Sequence, residues 1–191
     1  MLKRDLAVDF SIRMCYKGSS TKKGFIMKIY LDMDGVIADF FGEFEILNGV
    51  DHWKEIADPI AAIEDLKLTN FFDRLNVFPT SKKLVKFVST LAGDNYGICS
   101  SPIIGDEYNS AFWKRNWLSN HGFLPTLKNL IITHDKPKYA TGFHDQPNIL
   151  VDDKPKNIDD WNNAGGIGIL YQANQDSIDE LFAKLKEAYN E

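Results

Sequence analysis

The chain alternates short apolar runs with amphipathic segments, an order that predicts an α/β fold. Apolar runs long enough for one strand each lie at 28–31, 96–99, 129–133, 148–151 and 166–171. Segments in which apolar residues recur at helical spacing lie at 81–91, 106–120, 155–164 and 175–189. Strands that are apolar on both faces are typical of parallel sheets covered by helices. The pattern therefore predicts a central parallel sheet of about five strands inside a three-layer α/β sandwich.

One segment interrupts this alternation after the first strand. Residues 40–79 are too many for an ordinary loop, carry six Phe or Trp residues after Phe40, and place Ile56, Ile60 and Ile63 at helical spacing. We expect a small helical cap at 40–79, inserted into a core formed by 27–39 and 80–191.

The first 26 residues lie outside the pattern. They carry six Lys or Arg residues against two Asp residues, and the glycine-, serine- and lysine-rich stretch 18–24 separates them from the first strand. We expect 1–26 to be a disordered, dispensable basic extension. A mitochondrial-type transit peptide is the alternative that the sequence leaves open.

Polar side chains follow the predicted strands where each strand ends. In chain order these are the pair Asp32 and Asp34, the pair Ser100 and Ser101, then Lys136, then the pair Asp152 and Asp153. Each group has an ordinary explanation on its own, such as a turn, a helix cap or a surface charge. However, the carboxyl ends of parallel strands meet at one edge of a sheet, where α/β proteins bind ligands. Their agreement in position predicts a phosphoryl-transfer site.

The order of these residues resembles the haloacid dehalogenase (HAD) superfamily of phosphohydrolases, and more closely its 5′(3′)-deoxyribonucleotidases. The resemblance rests on the blocks DMDGVIADF at 32–40, ICSSPI at 98–103, THDK at 133–136 and VDDKP at 151–155. It spans 27 to about 171 and implies a HAD-like fold. Two departures stand out: Ser100 occupies a position where the animal enzymes are expected to have Thr, and His134 occupies one where Arg is expected.

The resemblance, with the needs of phosphate chemistry, implies a role for each candidate residue. Asp32 is expected to act as the nucleophile that forms an aspartyl-phosphate, and Asp34 as the general acid and base. Negative charge on the transferred phosphoryl group requires cations and hydrogen-bond donors. The phosphate-binding candidates are Ser100, Ser101, Lys114 and Lys136. Carboxylate oxygens suit Mg²⁺, and the expected magnesium-binding residues are Asp32, Asp34, Asp152 and Asp153.

The roles expected of Lys114 and of the aromatic residues in the insert rest mainly on the resemblance. On its own, Lys114 in the predicted helix 106–120 reads as a solvated surface residue. Its place three residues before Trp117 matches a phosphate-binding Lys of the nucleotidases. A cap over a nucleotide site would use an aromatic ring to stack on the base. Phe40 is the first candidate for this contact because it keeps the nucleotidase spacing from Asp32, and Phe71 and Phe72 follow.

Composition and charge exclude some classes of function. The chain of 191 residues has a formal charge of −5 and no apolar run long enough to cross a membrane. An acidic chain argues against a polynucleotide-binding surface but allows a local basic pocket for a small phosphate. Cys15 and Cys99 are the two cysteines, so disulfides are not expected and a reducing cytoplasm is the simplest compartment. The sequence leaves open whether the protein forms a homodimer.

The sequence predicts a Mg²⁺-dependent phosphatase acting on deoxyribonucleoside monophosphates. Two alternatives stay open at this point. One is a HAD-type phosphatase for a sugar phosphate or a polynucleotide 3′ end, and the other is a non-catalytic phospho-acceptor module, which would need neither Asp34 as an acid nor an aromatic cap.

Overall fold

The structure is a computed structural model that describes residues 27–190. Its sheet has five parallel strands in the order β5-β4-β1-β6-β7. These strands are β1 (Ile29–Leu31), β4 (Tyr96–Ser100), β5 (Leu130–Ile132), β6 (Ile149–Asp152) and β7 (Ile167–Leu170). A two-stranded antiparallel ribbon is formed by β2 (Ala38–Asp39) and β3 (Asn76–Val77). The predicted fold class is confirmed, and the sequence analysis missed the short ribbon.

Helices cover both faces of the sheet. The helices are α1 (Phe40–Asn48), α2 (Pro59–Glu64), α3 (Ser81–Ala92), α4 (Glu107–Asn120), α5 (Pro155–Asn163) and α6 (Ile178–Asn190). Ile29 and Leu31 pack in one core cluster with residues of α3, α4 and α6. Tyr30, between them, packs with Trp161 of α5 in a second cluster on the opposite face. The alternation along β1 therefore builds the two cores of a three-layer sandwich.

The segment expected to form the insert, residues 40–79, lies between β2 and α3. It contains α1, α2, β3 and two short 3₁₀ turns, Trp53–Glu55 and Phe71–Arg74. The turn Phe71–Arg74 packs against α4, so the insert contacts the helix that carries Lys114. The boundary between core and cap stays a proposal, and the expected extension 1–26 lies outside the described residues.

Candidate active site

The turn after β1 places the first pair of carboxylates. The backbone N–H of Met33 donates to Asp32 Oδ1 at 2.7 Å, which orients that carboxylate within its own turn. Gly35 follows with φ of +76°, and its N–H donates to the Ala38 carbonyl at 2.9 Å. Left-handed backbone of this kind favours glycine. The sharp turn brings Asp32 and Asp34 to the carboxyl edge of the sheet, as predicted.

Lys114 projects from α4 into this edge and is fully buried. Its Nζ lies 2.5 Å from Asp34 Oδ2 and donates to Ser100 Oγ at 3.0 Å. The same ammonium group lies 4.2 Å from the centre of the Phe72 ring, an arrangement that favours a cation. Lys114 thus joins the ends of β1 and β4 to the insert.

Lys136 follows β5 and joins the ends of β1 and β6. Its Nζ lies 2.9 Å from Asp32 Oδ2 and 2.5 Å from Asp152 Oδ2, and the residue is buried. Removing one partner of such a buried pair is strongly destabilising, because the remaining charge stays desolvated. The structure brings both candidate lysines to the site. Lys114 contacts Asp34 and Ser100, and Lys136 contacts Asp32 and Asp152.

The acidic pair after β6 is held asymmetrically. Asp152 accepts hydrogen bonds from the Lys154 N–H and from Asn157 Nδ2, in addition to its contact with Lys136. The Asp153 carboxylate makes no such contact with residues 27–190 and faces the Gly35 turn. Oxygen atoms of Asp32, Asp152 and Asp153 lie within 4.8 Å of one another. Three clustered carboxylates, of which Asp153 keeps its oxygens available, fit a hard cation such as Mg²⁺.

The electrostatics separate the two leading carboxyls. Burial alone would raise the pKa of Asp32, but the charges of Lys136 and Lys114 outweigh burial and hold that pKa below its usual range. Burial raises the pKa of Asp34; Lys114 opposes the increase, and the negative charge of Asp32 adds to it. Opposite shifts in neighbouring carboxyls are a pattern of acid–base sites. The geometry provides an ionised Asp32 beside a more readily protonated Asp34.

The acidic pair after β6 carries raised pKa values. Burial and the neighbouring charge of Asp32 raise the pKa of Asp152 despite Lys136. Burial and three neighbouring carboxylates raise the pKa of Asp153 to about 7. Four carboxyls here face two lysines, so the site has an excess of negative charge that a bound divalent cation would offset.

The remaining candidate residues differ in how accessible their side chains are. Ser101 follows Ser100 and is half-buried, without a side-chain hydrogen bond inside the described region. Phe40 is half-buried, and its ring centre lies 5.1 Å from that of Phe71. Phe71 and Phe72 are each only 2% exposed. Phe40 is thus the candidate ring that retains an accessible surface.

Sequence reasoning missed two residues that support the site. Asn157 on α5 orients Asp152, as described above. Asp106, at the start of α4, is buried and accepts hydrogen bonds from the Leu68 N–H at 3.1 Å and from Ser110 Oγ at 3.2 Å. It thereby ties the insert to the helix of Lys114. The available signal was its position as the first residue of the predicted helix 106–120, because Asp is common at the start of a helix.

His134, one of the two departures from the nucleotidase pattern, lies at the same edge of the sheet. Its Nε2 is 3.5 Å from Glu107 Oε1 at the start of α4, and both side chains are exposed. The structure therefore places His134 at the rim of the site, without contact to the buried carboxylates.

The approach of Gly35 to Asp153 gives a first testable prediction. A Cβ at position 35 would lie 2.3 Å from Asp153 Oδ2, and φ is unfavourable for alanine. We expect Gly35→Ala to destabilise the protein by more than about 1 kcal/mol. We also expect a reduction of about tenfold or more in the phosphatase turnover that the sequence predicts, because Asp153 must move. Thermal unfolding and turnover measure the two effects.

Gly49→Ala is the matched control, because Gly49 has φ of +66° but no atom within 4 Å of the position that a Cβ would occupy. It should show the backbone strain without the loss of turnover. Equal turnover of both variants would contradict the importance of the close approach.

The fold is similar to that of a hydrolase from Streptococcus pneumoniae TIGR4. The TM-score is 0.50 and the sequence identity 17%, over 85% of this chain and 100% of that one. At that identity the similarity concerns the fold alone.

Two curated relatives are similar over 153 residues. The mitochondrial 5′(3′)-deoxyribonucleotidase of Mus musculus is 25% identical, and the match covers 68% of this chain and 65% of that protein. The mitochondrial 5′(3′)-deoxyribonucleotidase of Homo sapiens is 26% identical, with 69% and 64% covered. This chain therefore spans slightly less than two thirds of the length of these relatives.

A family-level match covers most of the chain. The sequence model of the family described as "5′ nucleotidase, deoxy (Pyrimidine), cytosolic type C protein" matches residues 26–187. The match includes every candidate residue of the site, and the resemblance drawn from the motifs is confirmed. The chain belongs to this 5′-nucleotidase family.

Proposed function

We propose that the protein is a Mg²⁺-dependent phosphatase that hydrolyses deoxyribonucleoside monophosphates through an aspartyl-phosphate. The observation that carries this proposal is the pairing of Asp32, held ionised by two lysines, with Asp34, whose pKa is raised. Family membership supports it, and so do the names of the two relatives.

The proposed reaction has two steps. First, a carboxylate oxygen of Asp32 attacks phosphorus; the bond from phosphorus to the nucleoside oxygen breaks, and that oxygen takes a proton from Asp34. Second, Asp34 accepts a proton from a water molecule that attacks the same phosphorus, which releases phosphate and restores Asp32. Asp34 Oδ1 is buried and has no hydrogen-bond partner within residues 27–190, whereas Oδ2 contacts Lys114.

Cations and hydroxyls would hold the phosphoryl group. Lys114 and Ser100 lie together beside Asp34, and Lys136 lies beside Asp32. Their charges would stabilise the negative charge that spreads over the phosphoryl oxygens. Ser101 is a further hydroxyl donor at the same strand end.

The cation site supports the magnesium part of the proposal. Asp32 and Asp153, with the backbone carbonyl of Asp34, would hold Mg²⁺, and Asp152 would hold Lys136 and complete the acidic environment. When bound, Mg²⁺ would neutralise charge on the phosphate and orient it toward the nucleophile.

The insert supports the choice of a nucleotide. Phe40 starts α1, directly after the strand that leaves the Asp32–Asp34 turn, and keeps an accessible surface. A base stacked on this ring would gain about 1–3 kcal/mol. A close apolar wall near the sugar would disfavour an unpaired 2′-hydroxyl by about 1–3 kcal/mol.

A substrate panel tests this choice. We expect dUMP or dTMP to be cleaved about 5- to 150-fold more efficiently than UMP, the ratio that corresponds to the 2′-hydroxyl penalty. Phe40→Ala should lower kcat/KM for nucleotides more than for a small aryl phosphate, because only the nucleotide has a base to stack. Phe41→Ala, a neighbouring ring outside the candidate set, is the control.

The same panel separates the alternatives. Equal rates on deoxyribonucleotides, ribonucleotides and sugar phosphates would contradict the nucleotidase assignment and favour a general phosphatase. Preferential cleavage of a polynucleotide 3′ phosphate would favour the polynucleotide alternative. Phosphorylation of Asp32 without turnover would favour a phospho-acceptor module.

Cellular context and assembly are part of the proposal. A cytoplasmic location is supported by the low cysteine content, with Cys99 buried as a free thiol. Within residues 27–190 the helices are all too short or too polar to cross a bilayer.

A homodimer would bury exposed apolar side chains such as Tyr108 and Phe112 of α4. Light scattering distinguishes a dimer from a monomer of 21.7 kDa.

A further inference from the structure

A second cleft lies at the opposite edge of the sheet from the catalytic residues. It has a volume of about 320 Å³, within the size range of small-molecule sites. It is lined by Lys28, Tyr30, Tyr139, Thr141, Gly142, Phe143 and Asn148. Lys28 precedes β1 and Asp32 follows it, so the two ends are separated by roughly 13 Å of extended chain. The cleft is therefore distinct from the site described above.

The polar groups of this cleft favour an anion. Lys28 forms no ion pair with residues 27–190, and no Asp or Glu from that range lines the cleft. Burial and the neighbouring charge of Lys128 both lower the pKa of Lys28, as expected for an ammonium group without a counterion. Tyr30 is 2% exposed, and its hydroxyl makes no hydrogen bond with the described part of the chain. A hydroxyl at the wall of the cleft that no described group engages is available to donate to a ligand.

The apolar lining favours a planar ring. Tyr30, Tyr139 and Phe143 each contribute an aromatic side chain, and Phe143 is 85% exposed. Phe143 precedes two non-glycine residues with left-handed backbone, His144 and Asp145, with φ of 58° and 57°. Such strain costs of order 1–3 kcal/mol per residue and is concentrated at functional sites. The Gly142 N–H donates to the Gln146 carbonyl at 2.7 Å, which closes this turn beside the cleft.

The Asn148 side chain in the wall of the cleft has hydrogen-bond partners for both its oxygen and its nitrogen, which hold this wall in place. Asn148 Oδ1 accepts from the Lys28 N–H, and its Nδ2 donates to the Tyr139 carbonyl, both at 2.9 Å. These bonds hold the backbone of Lys28 and the backbone of Tyr139 to the same Asn148 side chain. The ammonium group of Lys28 lies 6.0 Å from the centre of that ring.

We propose that this cleft is a second binding site, which takes a planar aromatic anion between the side chains of Tyr139 and Phe143, with its negative group on Lys28 and the Tyr30 hydroxyl. The proposal does not rest on the proposed phosphatase activity. A nucleotide and an aromatic carboxylate share this chemistry, and the test distinguishes them.

The test is a titration followed by amide chemical shifts, with three matched probes. Indole-3-carboxylate carries both ring and charge, indole-3-carboxamide carries the ring alone, and acetate carries the charge alone. We expect the carboxylate to shift the amides of Lys28, Thr141, Gly142 and Phe143 and to bind about tenfold or more tightly than the carboxamide. Titrating dAMP into the Asp32→Asn protein tests the nucleotide as the source, because shifts at the same amides would assign it to this cleft.

Variants identify the contacts. Lys28→Gln should weaken the carboxylate about tenfold or more and leave the carboxamide unchanged, whereas Phe143→Ser should weaken both. Lys156→Gln, which removes an exposed lysine on α5, is the charge-matched control and should change neither. The wild-type comparison of carboxylate with carboxamide keeps the test decisive if a variant does not fold.

Several outcomes would overturn the proposal. These are equal affinity for carboxylate and carboxamide, absence of shifts at the four amides, or shifts at Ser100 and Lys114 instead. Binding that occurs only after removal of residues 1–26 would also overturn it, because the chain's own preceding segment would then be the occupant.

Discussion

Asp32→Asn is expected to leave no detectable turnover of any phosphomonoester, because an amide cannot form the aspartyl-phosphate. Asp34→Asn should retain the nucleophile and lose roughly 10²- to 10⁴-fold in kcat, the usual contribution of general acid–base catalysis. Asn is the right replacement in both places because it keeps an oxygen facing the buried ammonium groups of Lys136 and Lys114. Steady-state kinetics on dUMP, with a release assay for inorganic phosphate, measures both losses.

Asp135→Asn is the matched control for this pair. Asp135 lies next to Lys136 at the same edge of the sheet but is exposed, outside the buried constellation. It should keep near wild-type turnover. Thermal unfolding must show that all three variants are folded, and full activity of a folded Asp32 or Asp34 variant would exclude the proposed mechanism.

Removing Mg²⁺ with a chelator is expected to abolish turnover, and restoring Mg²⁺ should recover it. The Asp152→Asn, Asp153→Asn double variant should not recover at the same concentration, because the cation would lose the Asp153 carboxylate and the neighbouring negative charge of Asp152. Stability gives a readout that is independent of activity. Mg²⁺ at a hundred times its Kd should stabilise the wild-type protein by about 2.7 kcal/mol and should stabilise the double variant much less.

The chelated protein should also show a pH dependence that Asp153→Asn removes. The pKa of Asp153 is raised to about 7 in the fold, so the folded state favours its protonated form. The stability that protonation provides is complete below the unfolded pKa near 4 and is lost as pH rises through 7. Urea unfolding at pH 5 and pH 8 compares the wild-type protein with the Asp153→Asn variant.

Turnover without any metal ion would contradict the proposed cation site. So would equal stabilisation of the wild-type protein and the double variant by Mg²⁺.

The position of each strand of the central sheet was predictable because each lies in a short apolar run. Each of the five predicted runs matches an observed strand to within about three residues at each end, and the four predicted helices match α3 to α6 equally well. The ribbon of β2 and β3 was missed since two residues per strand carry no periodic signal.

The site was predictable where it depends on strand ends. Ser100 and Asp152 are the last residues of strands, and Asp32, Asp34 and Asp153 follow strands. Parallel topology brings all five residues to one edge. Lys114 lies in a helix, and its pattern alone indicated a solvated face. Only the packing of α4 against the insert turns it inward, to the ends of β1 and β4.

Local sequence was sufficient for the order of strands and helices and for the edge at which the carboxylates gather, because both follow from periodicity and from the direction of parallel strands. Which groups touch was set by the packing of distant segments. Lys136 bridges Asp32 and Asp152, Asp153 has no hydrogen-bond partner among residues 27–190, and Phe40 keeps an accessible surface while Phe71 and Phe72 are buried. These outcomes depend on distances between residues far apart in the chain, and burial and charge at those distances set the pKa values on which the proposed chemistry depends.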